Sequence, residues 1–120
     1  LKKCSFLISF FTIQFIHPSY RQDIFNKIYK SLRWAGGFLI FEKVRAPDAR
    51  FQDMMNQIYL EYKLDQNYTP QEILSKSMSL KGVLEPFSTN ANIQMMKRAG
   101  FKDITTVFKF LNFEGFLAIK

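Results

Sequence analysis

Few residues in this chain are of types that do chemistry, and they sort by kind. Cys4 is the only cysteine and His17 the only histidine, which excludes an internal disulfide, a multi-cysteine metal site and any paired-histidine mechanism. His17 precedes Pro18 in a loop and reads as a surface residue, and Cys4 as a small buried hydrophobe at the start of a strand. What remains is the chemistry of holding a ligand. Lys63, Tyr68 and Lys76 can contact an anion through ammonium and phenol hydrogens. Phe10, Phe11 and Gln14 fall at the carboxyl end of an apolar run, where open α/β sheets bind their ligands. Glu42 and Lys43 end a second run at what would be the same sheet edge, and Lys43 joins the candidates for substrate contact. The competing readings are a packed strand end for the first three, a solvated strand end for Glu42-Lys43, and exposed helix faces for the others.

These residues need elements to position them. Lys2-Lys3 ahead of CSFLISF reads either as the front of a secretory leader or as a buried strand. Phe10-Phe11 and Gln14-Phe15 stand where a leader needs small residues, and the first residue is Leu1, so the strand is preferred. Ser19 and Gln22 have capping-box spacing, and Ile24, Ile28 and Leu32 then recur every four residues, predicting a helix over 20–33. Gly36-Gly37 should stop it, and Phe38-Leu39-Ile40-Phe41 is an unalternating apolar strand ending at Glu42-Lys43. Strand, helix and strand form a parallel unit.

Phe51, Met54, Met55, Ile58 and Tyr62 make a second helical stripe, with the methionines read as soft core filling. Thr69-Pro70-Gln71-Glu72 starts a third helix, running to about Leu80 and exposing Lys76 and Lys81. Ser88 or Thr89 caps a fourth, which ends at Ala99-Gly100-Phe101. Strands over about 104–110 and 115–119 close the chain as an antiparallel hairpin. The two helices within 46–82 look inserted, since a crossover needs only one.

At 120 residues with 48% hydrophobic and 22% charged, the composition is that of one globular domain. No run supplies the ~20 apolar residues of a membrane span, and a reducing cytoplasm is the expected location. The net charge of +7 invites a nucleic-acid reading, but the lysines scatter from Lys2 to Lys120, which reads as compositional drift rather than a binding face.

The sheet poses a problem. Successive right-handed crossovers stepping the same way put the first and fourth helices on one face, yet 38–41 and 116–119 are apolar at consecutive positions. Each large side chain left bare forgoes about 1.5–3 kcal/mol. Either the inserted helices cover the second face, or a partner does, or the chain is half of something larger, and the last is the expectation.

Ser31-Leu32-Arg33-Trp34-Ala35-Gly36-Gly37-Phe38-Leu39 and Lys97-Arg98-Ala99-Gly100-Phe101 resemble the later motifs of class I S-adenosylmethionine-dependent methyltransferases. More specifically, FTIQFIHPSYRQDIFNKIYKSL, GGFLIFEKVRAPDA, YKLDQNYTPQEI and NFEGFLAIK resemble the carboxy-S-adenosyl-L-methionine synthase family over essentially the whole chain. The resemblance implies an α/β fold: the C-terminal half of a doubly wound, Rossmann-like sheet, with two parallel strands, a final antiparallel hairpin and a two-helix insert. It implies S-adenosyl-L-methionine as cofactor, prephenate as substrate, carboxy-S-adenosyl-L-methionine and phenylpyruvate as products, and an indirect link to tRNA through a downstream enzyme modifying the wobble uridine. A homodimer with the insert near the contact is implied as well, and the 120 residues alone are expected to be inactive and not to hold the cofactor. Two positions depart from the family pattern. Phe10 stands where the family has an asparagine lining the cofactor pocket, and Ser77 where it has the arginine that meets the carboxylate. A carboxylate in a dry pocket needs a paired cation. Lys76, about 100° round the helix from position 77, would have to redirect its stem to serve.

Overall fold

The computed structural model describes residues 2–120. It contains β1 (Cys4–Phe10), α1 (Pro18–Ser31), β2 (Leu32–Lys43), α2 (Ala49–Asp65), α3 (Pro70–Ser79), α4 (Thr89–Ala99), β3 (Asp103–Phe110) and β4 (Phe113–Ile119), with a short 3-10 turn at Ile13–Phe15. The four strands form one mixed sheet in the order β1-β2-β4-β3. β1 and β2 pair in parallel, as their separation by one helix requires, and β4 lies antiparallel between β2 and β3.

Several local expectations are corrected. α1 begins at Pro18, not at a Ser19–Gln22 capping box: His17 is the cap, its Nδ1 accepting from the Ser19 N–H, so the imidazole is exposed but structurally employed. The helix ends at Ser31, ahead of Gly36-Gly37. Its last carbonyls are taken by distant lysines, Lys3 Nζ donating to Lys30 O and Lys120 Nζ to Tyr29 O and Leu32 O. The two glycines instead lie within β2, where its own bulge and the neighbouring strand β1 pass close. A Cβ on Gly36 would come 2.7 Å from Arg33 O of the bulge and 3.0 Å from Ser5 O of β1, and one on Gly37 2.9 Å from the Phe6 ring. Here β2 advances from Leu32 to Gly37 while β1 advances only from Cys4 to Phe6, so β2 bulges outward. The positive φ of the bulge falls on Ala35, at 64°.

α4 is capped by Ser88 Oγ, which accepts from Ala91 N–H at 3.0 Å. It stops at Gly100, whose φ of 127° lets Phe101 N–H turn back to Met96 O. α1 and α4 cover one face of the sheet together, tied by Gln22 Nε2 donating to Met95 O. Between them and the strands lies the core: Phe25, Ile28, Phe38, Ile40, Met96, Phe101, Phe116 and Ala118, all buried.

The opposite face is bare. Phe6, Ile8 and Phe10 of β1 and Phe108 and Phe110 of β3 are all 43% or more exposed. The stripe on α2 is not core here, for Phe51, Met54 and Ile58 are exposed and neither inserted helix buries any residue. α2 touches only the end of the sheet, through Tyr59 against Phe113 and Tyr62 against Phe110, with ring centroids 5.3 and 5.5 Å apart. The molecule is accordingly elongated, 47 × 24 × 23 Å.

Candidate functional site

The carboxyl ends of β1 and β2 meet the β3–β4 turn and the start of β4 at one edge of the sheet. At this edge an aromatic chain forms. Phe10 packs on Phe11 at 4.6 Å and on Phe41 at 5.4 Å, Phe11 on Phe113 at 5.8 Å, and Phe113 on Tyr59 of α2. Phe11, with φ 51°, turns the chain out of β1 while its N–H still donates to Phe41 O. Phe10, 64% exposed, presents its ring to solvent at the end of this chain.

Gln14 faces the other way. It is buried, and its side-chain carbonyl accepts from Lys43 N–H at 2.7 Å. Its own N–H donates to Glu42 Oε2 at 3.1 Å, and its backbone carbonyl accepts from Arg21 Nη2 at 2.9 Å. The residue thus latches the turn after β1 onto the end of β2. Arg21 completes the latch, also donating from Nε to Ile16 O and lying 4.4 Å over the Phe87 ring.

Glu42 is not a solvated strand end. Its side chain points to the covered face and is 2% exposed, with Oε1 unpartnered. Burial pushes its carboxyl up to about 7, against the opposing pull of the Gln14 hydrogen bond and the Arg21 charge. Lys43, the next residue, points to the opposite face, as strand alternation demands.

There the anion candidates come together. Tyr59 is the floor: Lys63 Nζ lies 4.5 Å and Lys43 Nζ 5.5 Å from its ring centroid. A cleft of about 710 Å3 between α2 and α3 is lined by Tyr59, Lys63, Tyr68 and Lys76, among others. A second, of about 650 Å3, continues from it past Lys43, Arg45 and Ser77 and shares Tyr59, Lys63 and Lys76. Lys76, brought in from α3, therefore stands in both clefts beside Ser77. The carboxylate of Glu72 on the first cleft is committed to its capping box, accepting from Thr69 N–H. Burial, and then the charge of Lys63, hold the Lys43 ammonium below the usual lysine range. Burial, Tyr68 and Tyr62 raise the Tyr59 phenol.

Lys43, Lys63, Tyr68 and Lys76 are thus gathered in one place, and Phe10 and Phe11 join them through Phe113 and Tyr59. Gln14 stands apart, beneath the surface. Sequence reasoning missed Tyr59 and Arg45. The spacing of Tyr59, Tyr62 and Lys63, three and four apart on one helix, is the signal that could have found the first. Among the described residues no group of three or more His, Cys, Asp or Glu is placed to hold a metal ion, and no helix is long and apolar enough to cross a membrane.

No family model matches the chain. It is 43% identical over 113 residues to the carboxy-S-adenosyl-L-methionine synthase of Campylobacter lari, covering 94% of this chain and 48% of that protein. It is 40% identical over 116 residues to the synthase of the same name from Staphylococcus epidermidis, covering 97% and 51%. Solved structures show the fold. Human N-acetylserotonin methyltransferase in complex with SAM superposes with a TM-score of 0.64 at 15% identity, over 100% of this chain and 30% of that one. A SAM-dependent methyltransferase of Thermotoga maritima does so with a TM-score of 0.57 at 17% identity, over 100% and 58%. The fold is therefore the α/β fold of these methyltransferases, and by sequence the chain is similar over nearly all of its residues to carboxy-S-adenosyl-L-methionine synthases, spanning about half the length of the curated relatives it matches.

Proposed function

We propose that the chain is the carboxyl-terminal portion of a carboxy-S-adenosyl-L-methionine synthase and supplies its anion-holding cleft. The reaction would convert S-adenosyl-L-methionine and prephenate to carboxy-S-adenosyl-L-methionine and phenylpyruvate, with the product used in modifying the wobble uridine of tRNA. The observation that carries this reading is the convergence of Lys43, Lys63 and Lys76 around Tyr59, where the cations outnumber the one lining carboxylate of the first cleft, Glu72, which also caps α3.

Prephenate is a dicarboxylate, and clustered ammonium groups repel one another until an anion arrives. Two lysines over one ring face provide that binding energy in advance, and the Tyr68 hydroxyl can donate a further hydrogen bond. Lys76 takes the part that an arginine at position 77 would otherwise play; its reach into both clefts removes the need for a redirected stem.

The aromatic edge fits the cofactor by its chemistry. A sulfonium cation is attracted to the faces of aromatic rings, and an adenine stacks on them. Phe10 and Phe11 would hold it, and when bound it supplies the carbon that accepts the new carboxylate. In this reading the bare face of the sheet is roofed by the remaining length found in the relatives, and the exposed stripe of Phe51, Met54 and Ile58 is the contact of a homodimer.

The test is to incubate the full-length polypeptide with prephenate and S-adenosyl-L-methionine and weigh the products by mass spectrometry. Carboxylated cofactor is expected, falling sharply in Lys63→Met and Lys76→Met. A methylated acceptor without carboxylated cofactor would instead favour a general methyltransferase, the reading to which Phe10 and Ser77 point.

A further inference from the structure

The lysines that scatter along the sequence do not scatter in space. At the edge of the sheet opposite the cleft, β1, β2 and β3 begin and β4 ends. The carboxyl ends of α1 and α4 lie side by side there, since a Cβ on Gly100 would meet the Tyr29 ring. α1 brings Lys30 to this edge, and Arg33 follows in the bulge of β2. Lys2 and Lys3 lead into β1. α4 brings Lys97 and Arg98, Lys102 leads into β3, and Lys120 follows β4. About half of the seventeen Lys and Arg residues are thus collected at one edge. The corresponding segments hold a single carboxylate, Asp103.

Cations at helix carboxyl ends favour the helix dipole, and Lys3 and Lys120 are spent on carbonyls of α1. That accounts for part of the cluster only. Lys2, Arg33 and Lys102 are exposed and serve no helix end. The one ion pair among the described residues, Lys109–Glu114, lies toward the other end of the sheet.

In the middle of this basic edge stands Trp34, the only tryptophan, 83% exposed. It is held there by the backbone. Ala35 takes a left-handed φ that L residues rarely adopt, Ala35 N–H donates to Lys120 O, and Lys120 N–H donates to Gly36 O, each at 2.9 Å. The bulge is pinned to β4, and the indole projects from it on a fixed base.

We propose that this edge is a docking surface for single-stranded nucleic acid, with Trp34 stacking on a base and Arg33, Lys102 and their neighbours meeting phosphates. Charge complementarity with a polyanion and an aromatic platform set among cations are the two components of such surfaces. A membrane surface is less well matched, because the exposed apolar group here is one ring amid charges rather than an apolar face.

The test uses the full chain and a fluorescein-labelled 12-nucleotide RNA of mixed sequence, read by anisotropy and by Trp34 fluorescence. Binding at low salt should quench the indole. Trp34→Ala should weaken binding about tenfold. Arg33→Glu and Lys102→Glu should each lower the slope of log affinity against log salt by about 0.7. Arg50→Glu, at the other end of the molecule, should change affinity less than either. Four results would overturn the proposal: no binding at 50 mM salt, binding without quenching, equal weakening by Arg50→Glu, or tighter association with phosphatidylserine vesicles than with RNA.

Discussion

The two faces of the sheet are built from the same kinds of residues and have opposite fates. On one, Phe38, Ile40, Phe116 and Ala118 are completely buried beneath α1 and α4. On the other, Phe6, Ile8 and Phe10 are each more than half exposed. Apolar content therefore does not decide burial; the supply of helices does. Glu42 and Lys43 show the same division in two adjacent residues. The carboxyl on the covered face is held toward its neutral form, while the ammonium on the open side enters the cleft.

The largest effect should come from shaving each face in turn. In the 120-residue chain, Phe38→Ala should cost about 3–5 kcal/mol and Ile8→Ala less than about 1 kcal/mol, measured by urea unfolding. Equal costs would break the contrast. In a polypeptide of the relatives' full length, the cost of Ile8→Ala should climb toward that of Phe38→Ala if that length roofs the open face.

The next effect is a pH dependence confined to the covered face. Glu42 has a folded pKa raised from 4.5 to about 7. The folded state therefore keeps a proton that the unfolded state releases, and stability is highest below about pH 4.5 and falls as pH rises through 7. The total from this group is roughly 3 kcal/mol. Glu42→Gln should flatten the fall in urea midpoint between pH 5 and pH 8, and an unchanged slope would place the titration elsewhere.

The smallest effect concerns the open side. Lys43→Met should weaken prephenate binding to the full-length protein about tenfold, or about 1.4 kcal/mol, by calorimetry. Because burial and Lys63 lower the Lys43 pKa, wild-type affinity should begin to fall at a lower pH than an ordinary lysine would give, and Lys43→Met should lose that part of the dependence.

Much of this was legible beforehand. The parallel unit, the capping box at Thr69 and the closing antiparallel hairpin follow from local spacing and formed, with Ser88 rather than Thr89 as the cap of α4 and β4 starting two residues early, at Phe113. Errors arose where distant parts of the chain decide the local outcome. Gly36-Gly37 read as a helix stop because glycine punctuates helices, but α1 ends before them, at Ser31, where the chain turns extended into β2 and the last carbonyls accept from the distant Lys3 and Lys120. The α2 stripe read as core because its period is right, and periodicity does not reveal whether a partner surface is within reach. The anion candidates were named singly; Tyr59, on which Lys43 and Lys63 converge, is visible only once β2 and α2 are placed together. The basic edge was invisible for the same reason, since its members come from four separate stretches of chain.

The position of β4 carries one more consequence. β3 pairs only with β4, and β4 lies between it and β2. During folding β3 therefore has no partner strand until the hairpin turn at Leu111-Asn112 has formed and β4 has slotted in. Until that moment Phe108 and Phe110 travel on an unpaired strand edge. Any state in which β4 is detached thus leaves β3 open to pairing with a strand of another chain.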